Sequence, residues 1–225
     1  MIETQTVVPA ALPVGSALEE YWSCGLHPDS PVSFTESNAA NRLLRSARDA
    51  FATKGYQGTT TRNIAEGAGM SPAAMYIHYA SKQEMLFKLS MMGHRACLES
   101  LEAAVAIGGG PRKRLRAAMY DFTFFHAKHH VISRTIQYDM PYLESDNYEQ
   151  VADVRRAMHR IVQNILKEGV IAGDFKISDV SITTLGIPSM AIDTVRWFPS
   201  RSMSDPDKLA AHYASLTDSM VSGQA

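Results

Sequence analysis

The sequence predicts an all-α fold, with a small three-helix domain carrying a helix-turn-helix ahead of a larger helical domain. Three observations predict it. Apolar residues recur at helical spacing along the chain, with no strand alternation in competition. Glycine and proline punctuate that pattern at helix-length intervals. Between Phe51 and Lys88, start signals come in quick succession at Thr60 or Thr61, Ser71-Pro72 and Ser81-x-x-Glu84. They outline two short helices, a tight turn between them and a third, capped helix.

Each element has its own local reason. The first helix is expected from about Ser37 to Lys54, with Leu43, Leu44, Ala47, Ala50 and Phe51 on one face and Gly55 as its stop. The next opens at Thr60 or Thr61, buries Ile64 and Ala65, and ends at Gly67 and Gly69. Ser71 is a good N-cap, Pro72 suits the first helical position, and this second short helix is expected to reach about Tyr79. Ser81 and Glu84 have capping-box spacing and open a long helix to about Ala106, where Gly108, Gly109 and Gly110 break it. Pro111 starts a helix to about His130, followed by a shorter piece ending near Met140 and Pro141. From Asp146, Val151, Val154, Met158, Ile161, Ile165 and Leu166 make an amphipathic stretch closed by Gly169 and Gly173. Ser178 and Asp179 cap a helix to about Phe198, expected to be interrupted at Gly186 and kinked at Pro188, which crowds the carbonyl of Thr184. Ser204, Asp205 and Pro206 open a last helix to about Val221. Residues 1–35, with Pro9, Pro13, Pro28 and Pro31, lack helical periodicity and are expected to be mostly disordered, with Leu18 to Trp22 a docked turn and Trp22 its anchor. The expected division is 1–35 as an extension, 36–82 as the helix-turn-helix domain and 83–225 as the helical body.

Composition narrows the class. At 225 residues, 45% hydrophobic, the chain can build a small head and a larger body on one core. Mean hydropathy is −0.14 and no apolar run approaches a membrane span. No Lys or Arg precedes Arg42, so the basic region of a secretory signal is lacking and a cytoplasmic protein is expected. Two cysteines, Cys24 and Cys97, give no disulfide framework. The net charge of −1 conceals a partition: residues 1–35 hold four acids and no base, whereas residues 36–95 hold eight bases against four acids. Positive charge is concentrated on the head, where phosphate contact would need it; an ordinary solvated basic face is the plainer alternative.

Spacing alone leaves a plain helical hairpin open. The residues are more specific: G-Y-x-x-T-T-x-R-x-I-A-x-x-A-G-x-S-x-x-x-x-Y-x-H-Y-x-S-K-x-E-x-L, from Gly55 to Leu86, resembles the N-terminal domain of TetR-family transcriptional repressors. Double-stranded DNA is then the implied partner. In a helix-turn-helix the first residues of the second helix meet base edges; here they are Ser71, Pro72, Ala73 and Ala74, which suit thymine methyls or single hydrogen bonds. Arg62 resembles a family position that often reaches a base, with a phosphate contact as its alternative. By resemblance Tyr76, His78 and Lys82 hold the phosphate backbone, and Thr60 and Thr61 can donate to phosphates as well. Tyr79 stands where phenylalanine is usual and is expected in the core. Ile77 departs from the family, which often has an aromatic or polar residue there.

One head covers too little DNA for specific binding, so a homodimer on a palindromic operator is implied. As in the family, its interface would come from the last two helices, with Val195, Trp197, Phe198, Leu209, Tyr213, Leu216 and Met220 as candidates. Filling the protomer's own core is the alternative for part of that set.

The middle helices are rich in aromatic residues and methionine, which suits an adaptable apolar cavity or an ordinary core. The candidate pocket residues are Met119, Phe122, Phe125, Tyr138, Met140, Met158 and Met190. The resemblance implies a small-molecule inducer. A narrower one, VRWFPSRSMSDPDKLAAHYASL from Val195 to Leu216, is similar to the end of TetR-type repressors of lipid and sterol catabolism, which implies an acyl-CoA thioester. Arg196 or Arg134 would then face the anionic CoA part, with a surface or interface salt bridge as the plainer alternative. The rival class is a metal-binding or catalytic helical protein using His126, His129 and His130, of which His126 and His130 share a helix face. No H-E-x-x-H and no nucleophile motif accompany them, so no metal, cofactor or catalytic site is expected.

Overall fold

The computed structural model describes residues 38–223, and the expectations for residues 1–35, including Trp22 and Cys24, lie outside them. Nine α-helices follow: α1 (Asn38–Gly58), α2 (Thr61–Gly67), α3 (Pro72–Met75), α4 (Lys82–Ala106), α5 (Pro111–Lys128), α6 (His130–Asp139), α7 (Ser145–Ile171), α8 (Val180–Trp197) and α9 (Pro206–Ser222). A 3₁₀ turn, Met140–Tyr142, links α6 to α7. No strand occurs among the described residues, and none of their helices is long and apolar enough to cross a membrane.

The capping residues act largely as the sequence suggests. Thr60 accepts from the Asn63 N–H and the Asn63 side chain returns to the Thr60 N–H, a reciprocal box. Ser71 caps α3 through the Ala74 N–H. Ser81 accepts from the Glu84 N–H, but the Glu84 carboxylate takes the Ala80 N–H, one residue earlier than a capping box requires. Gly55, at φ 70° and ψ 166°, is where α1 breaks; a side chain would be strained in that conformation.

Two expectations are corrected. The regular part of α3 ends at Met75 rather than near Tyr79, because residues 76–78 close as turns, with the His78 and Tyr79 N–H groups both on the Met75 carbonyl. Helix α8 runs without interruption through Gly186 and Pro188. The hydrogen bond that proline forfeits there is one of many in an 18-residue helix, whose buried Thr184, Ile187, Ala191 and Val195 tie it to the bundle.

In the head, α1 lies across α2 and the start of α4, and buries Leu43, Leu44, Ala47 and Phe51 against Ile64, Ala65, Met75 and Tyr79. Tyr79 is a core residue, as expected, with its hydroxyl donating to the Ala40 carbonyl. In the body α5 is central, packing on α4, α7, α8 and most extensively α9. Helix α4 belongs to both regions, and α6 reaches back to α1.

Candidate nucleic-acid interface and body cavity

Thr60, Arg62, Ser71, Pro72, Ala73 and Tyr76 are exposed, whereas Thr61, Ala74 and His78 are half-buried. The fold brings several together. The Thr61 hydroxyl lies 3.4 Å from the Tyr76 hydroxyl, joining the start of α2 to the turn after α3. The Arg62 side chain, 78% exposed, is held only by a long ion pair to Glu66 at 3.6 Å, which costs little to break. Ile77 is 81% exposed, the position where the chain departs from the family pattern.

Lys82 is more engaged than its motif suggested. Its ammonium donates to the carbonyls of Tyr56 at 2.7 Å and Thr59 at 2.8 Å, and sits 4.2 Å from the centre of the Tyr56 ring. Two of its three donors thus hold the α1–α2 junction, leaving one for an outside partner. Partial burial pulls its pKa down, opposed by nearby Asp139. The same place joins head to body: Tyr56 stacks on Tyr142 at 5.5 Å, and Gln83 donates to the Tyr142 carbonyl. Asp139, buried at the end of α6, accepts from the Tyr56 backbone N–H; burial raises its pKa against that bond and Lys82.

The body holds an open cavity of about 360 Å³ between α4, α5, α6, α7 and α8. Four expected residues line it: Met119, Phe122, Phe125 and Met158. Three do not. Tyr138 is 54% exposed, Met140 lies in the 3₁₀ turn beside Arg155, and Met190 on α8 is half-buried outside the lining. Helical spacing identifies a face, and these three lie off the faces that converge here. The polar lining residues His94, Ser133, Gln137 and Arg155 are ones the sequence did not announce, since single polar residues in apolar helices carry no motif. Arg134 and Arg196 are not among the lining residues, and Arg196 pairs with Asp193 on the surface, the plainer alternative.

The three histidines do not converge on a metal. Nδ1 of His126 faces the Phe122 carbonyl at 2.7 Å and Nδ1 of His130 the Ala127 carbonyl at 3.0 Å, while His129 packs on Phe125. Among the described residues no group of three His, Cys, Asp or Glu side chains is placed to hold an ion. Cys97, a free thiol on the cavity wall, is pushed up in pKa by burial.

The seven expected interface residues divide. Val195, Phe198 and Leu209 are buried within the protomer, where Phe198 and Leu209 pack with Ala127, and Trp197 and Tyr213 cover that cluster. Leu216 and Met220 remain 38% and 45% exposed on α9. Ile182 and Leu185 on α8, absent from the expected set, are 68% and 62% exposed.

Comparison with known proteins supplies the family. A family model described as bacterial regulatory proteins, tetR family, matches residues 43–89, and one described as tetracyclin repressor-like, C-terminal domain, matches residues 108–221. A tetR-family regulatory protein from Rhodococcus RHA1 is 36% identical, with a TM-score of 0.80 over 84% of this chain and 100% of its own. The HTH-type transcriptional repressor KstR2 of Mycobacterium tuberculosis is 28% identical over 163 residues, 69% of this chain and 79% of that protein. AibR, crystallised with isovaleryl coenzyme A and operator DNA, is 18% identical, with a TM-score of 0.73 over 80% of this chain and 97% of its own, and shares the fold. With family models covering both the head and most of the body, and a close structural relative spanning nearly all of the described chain, this protein belongs to the TetR family of bacterial transcriptional regulators, DNA-binding proteins rather than enzymes.

Proposed function

We propose that this chain works as a homodimeric repressor released from a palindromic operator by an amphipathic small molecule, an acyl-CoA thioester, whose acyl part enters the body cavity. The observation that carries the reading is the cavity itself: about 360 Å³, walled by Leu101, Met119, Phe122, Phe125 and Val162, and lined also by α6, the helix whose end holds the head. That volume is at the low end for small-ligand sites. It suits an acyl group, with the nucleotide of coenzyme A left outside. The isovaleryl coenzyme A bound by AibR is a precedent for that ligand class on this fold.

In this reading residues 36–82 are the reading head and 83–225 the body. Arg62 reads a base, Ser71, Pro72, Ala73 and Ala74 line the groove side, and Thr60, Thr61, Tyr76 and His78 meet phosphates. Lys82 serves chiefly to brace the α1–α2 junction. Leu216 and Met220, with Ile182 and Leu185, form the face that a second copy covers. Coupling runs through α6: Arg155 reaches Gln137 and Met140, and the same segment carries Asp139 and Tyr142 to Tyr56. A ligand that moves α6 therefore moves the seat of the head, a coupling of ~1–3 kcal/mol in typical systems.

The test is DNA affinity of the purified protein with and without thioesters. Specific, salt-sensitive binding weakened by a thioester supports the reading; binding that no ligand alters removes the inducer from it.

A further inference from the structure

The cavity has a polar side, and its groups are left in need of partners. His94 from α4, His126 from α5, Ser133 and Gln137 from α6 and Arg155 from α7 all line it. Both imidazoles are buried, and the Nδ1 atoms lie 2.8 Å from the Ser90 carbonyl and 2.7 Å from the Phe122 carbonyl, each one turn back on the same helix. A carbonyl only accepts, so Nδ1 carries the proton and Nε2 of each neutral ring, on the edge away from its own helix, is an acceptor. Burial foremost, and Arg155 nearby, keep both rings neutral, with pKa values lowered to about 4.

Arg155 faces no carboxylate among the described residues. Its Nη1 donates to Gln137 Oε1 at 3.3 Å and approaches the Met140 sulfur at 3.5 Å, a weak pair of contacts for a half-buried cation. The Ser133 hydroxyl is 94% buried with its residue and has no hydrogen-bond partner. Buried polar groups without partners cost free energy, and a cavity needing only to admit a hydrocarbon has no use for two imidazole acceptors and a cation.

We propose that the cavity selects an oxygenated ligand: Arg155 receives a carbonyl or carboxylate oxygen, and His94 or His126 accepts a hydrogen bond from a hydroxyl. This rests on the proposed ligand-binding role and sharpens it, because a plain acyl chain of equal length leaves the cation and both acceptors unsatisfied. A site built around such groups discriminates strongly against the analogue that lacks the partner.

The test compares octanoyl-CoA and decanoyl-CoA with their hydroxy and keto derivatives, measured by calorimetry and by release of bound DNA. The oxygenated members are expected to bind at least about tenfold more tightly, with Arg155→Met and His126→Phe bringing that ratio towards unity. Arg155→Lys, which keeps the charge with fewer donors, gives a smaller loss and serves if the larger changes unfold the body. Equal affinity for plain and oxygenated members, unchanged by these variants, overturns the proposal while leaving the ligand-binding role standing. No binding by any member removes that role and this inference together.

Discussion

Gly67→Ala probes how the head is held together, and its size follows from one contact. A Cβ built at Gly67 comes closer than 3.0 Å to the Ser46 hydroxyl and lies 3.5 Å from the Ser46 Cβ. That hydroxyl is buried and donates to the Ile64 carbonyl at 2.7 Å, tying α1 to α2. The new methyl must therefore turn the hydroxyl away, stranding it at a cost of about 1–3 kcal/mol. Alanine recovers up to ~1 kcal/mol through helix propensity, since Gly67 does not need a left-handed conformation. The net loss is at most about 2 kcal/mol, or up to roughly 6 °C in Tm for a chain of this size. In a Ser46→Ala background the clash is gone, because the remaining Cβ–Cβ separation is ordinary contact. There Gly67→Ala should be neutral or stabilising, a coupling of about 1–3 kcal/mol in a double-mutant cycle followed by urea unfolding. Equal effects of Gly67→Ala in both backgrounds would refute the reasoning.

Three further outcomes follow from the same geometry. Arg62→Ala should relax preference at one base pair by about 1–3 kcal/mol, whereas Tyr76→Phe should weaken all sequences alike; competition binding across single-base operator variants distinguishes them, and a uniform loss for Arg62→Ala would place it on phosphate instead. Stability should fall as pH drops from 6.5 towards 4, because unfolded histidines protonate in that window while His94 and His126, at about 4, do not; about 2.5 units each amounts to about 3 kcal/mol per residue. Asp121, raised by burial to about 6, opposes this, its contribution being present in full below 3.8 and lost as pH rises through 6; His126→Phe should flatten the acid side of the curve, and an unchanged slope in that variant argues against the assignment. Leu216→Asp should convert a dimer to monomers in sedimentation at micromolar concentration with helicity retained, and a dimer that persists would move the interface elsewhere.

The helices were legible because their ends are local. Thr60, Ser71, Asp179 and Asp205 all cap where their side chains predict, and Pro72, Pro111 and Pro206 all stand at helix starts. The interruption expected at Gly186 and Pro188 is absent because continuity there depends on tertiary support: α8 has buried residues on both sides. Exposure of the head residues around Arg62 and Ser71 followed from motif and periodicity together. The inward hold of Lys82 did not, since it depends on carbonyls 23 and 26 residues away that no local pattern records. For the cavity, the apolar half was visible in the methionine and phenylalanine content of α5. The polar half was not, because His94, Ser133 and Arg155 line one cavity only when three helices pack, and each alone looks like an incidental residue in an amphipathic helix.

The most direct test of the account is the affinity of the full chain for the DNA upstream of its own gene, measured at two salt concentrations with and without oxygenated acyl-CoA thioesters. The account predicts specific binding that weakens steeply with salt and is released by an oxygenated thioester, with Arg155→Met requiring about tenfold more of it than the wild type. Binding to that DNA no tighter than to unrelated sequence, or release that is identical in the variant, would contradict it.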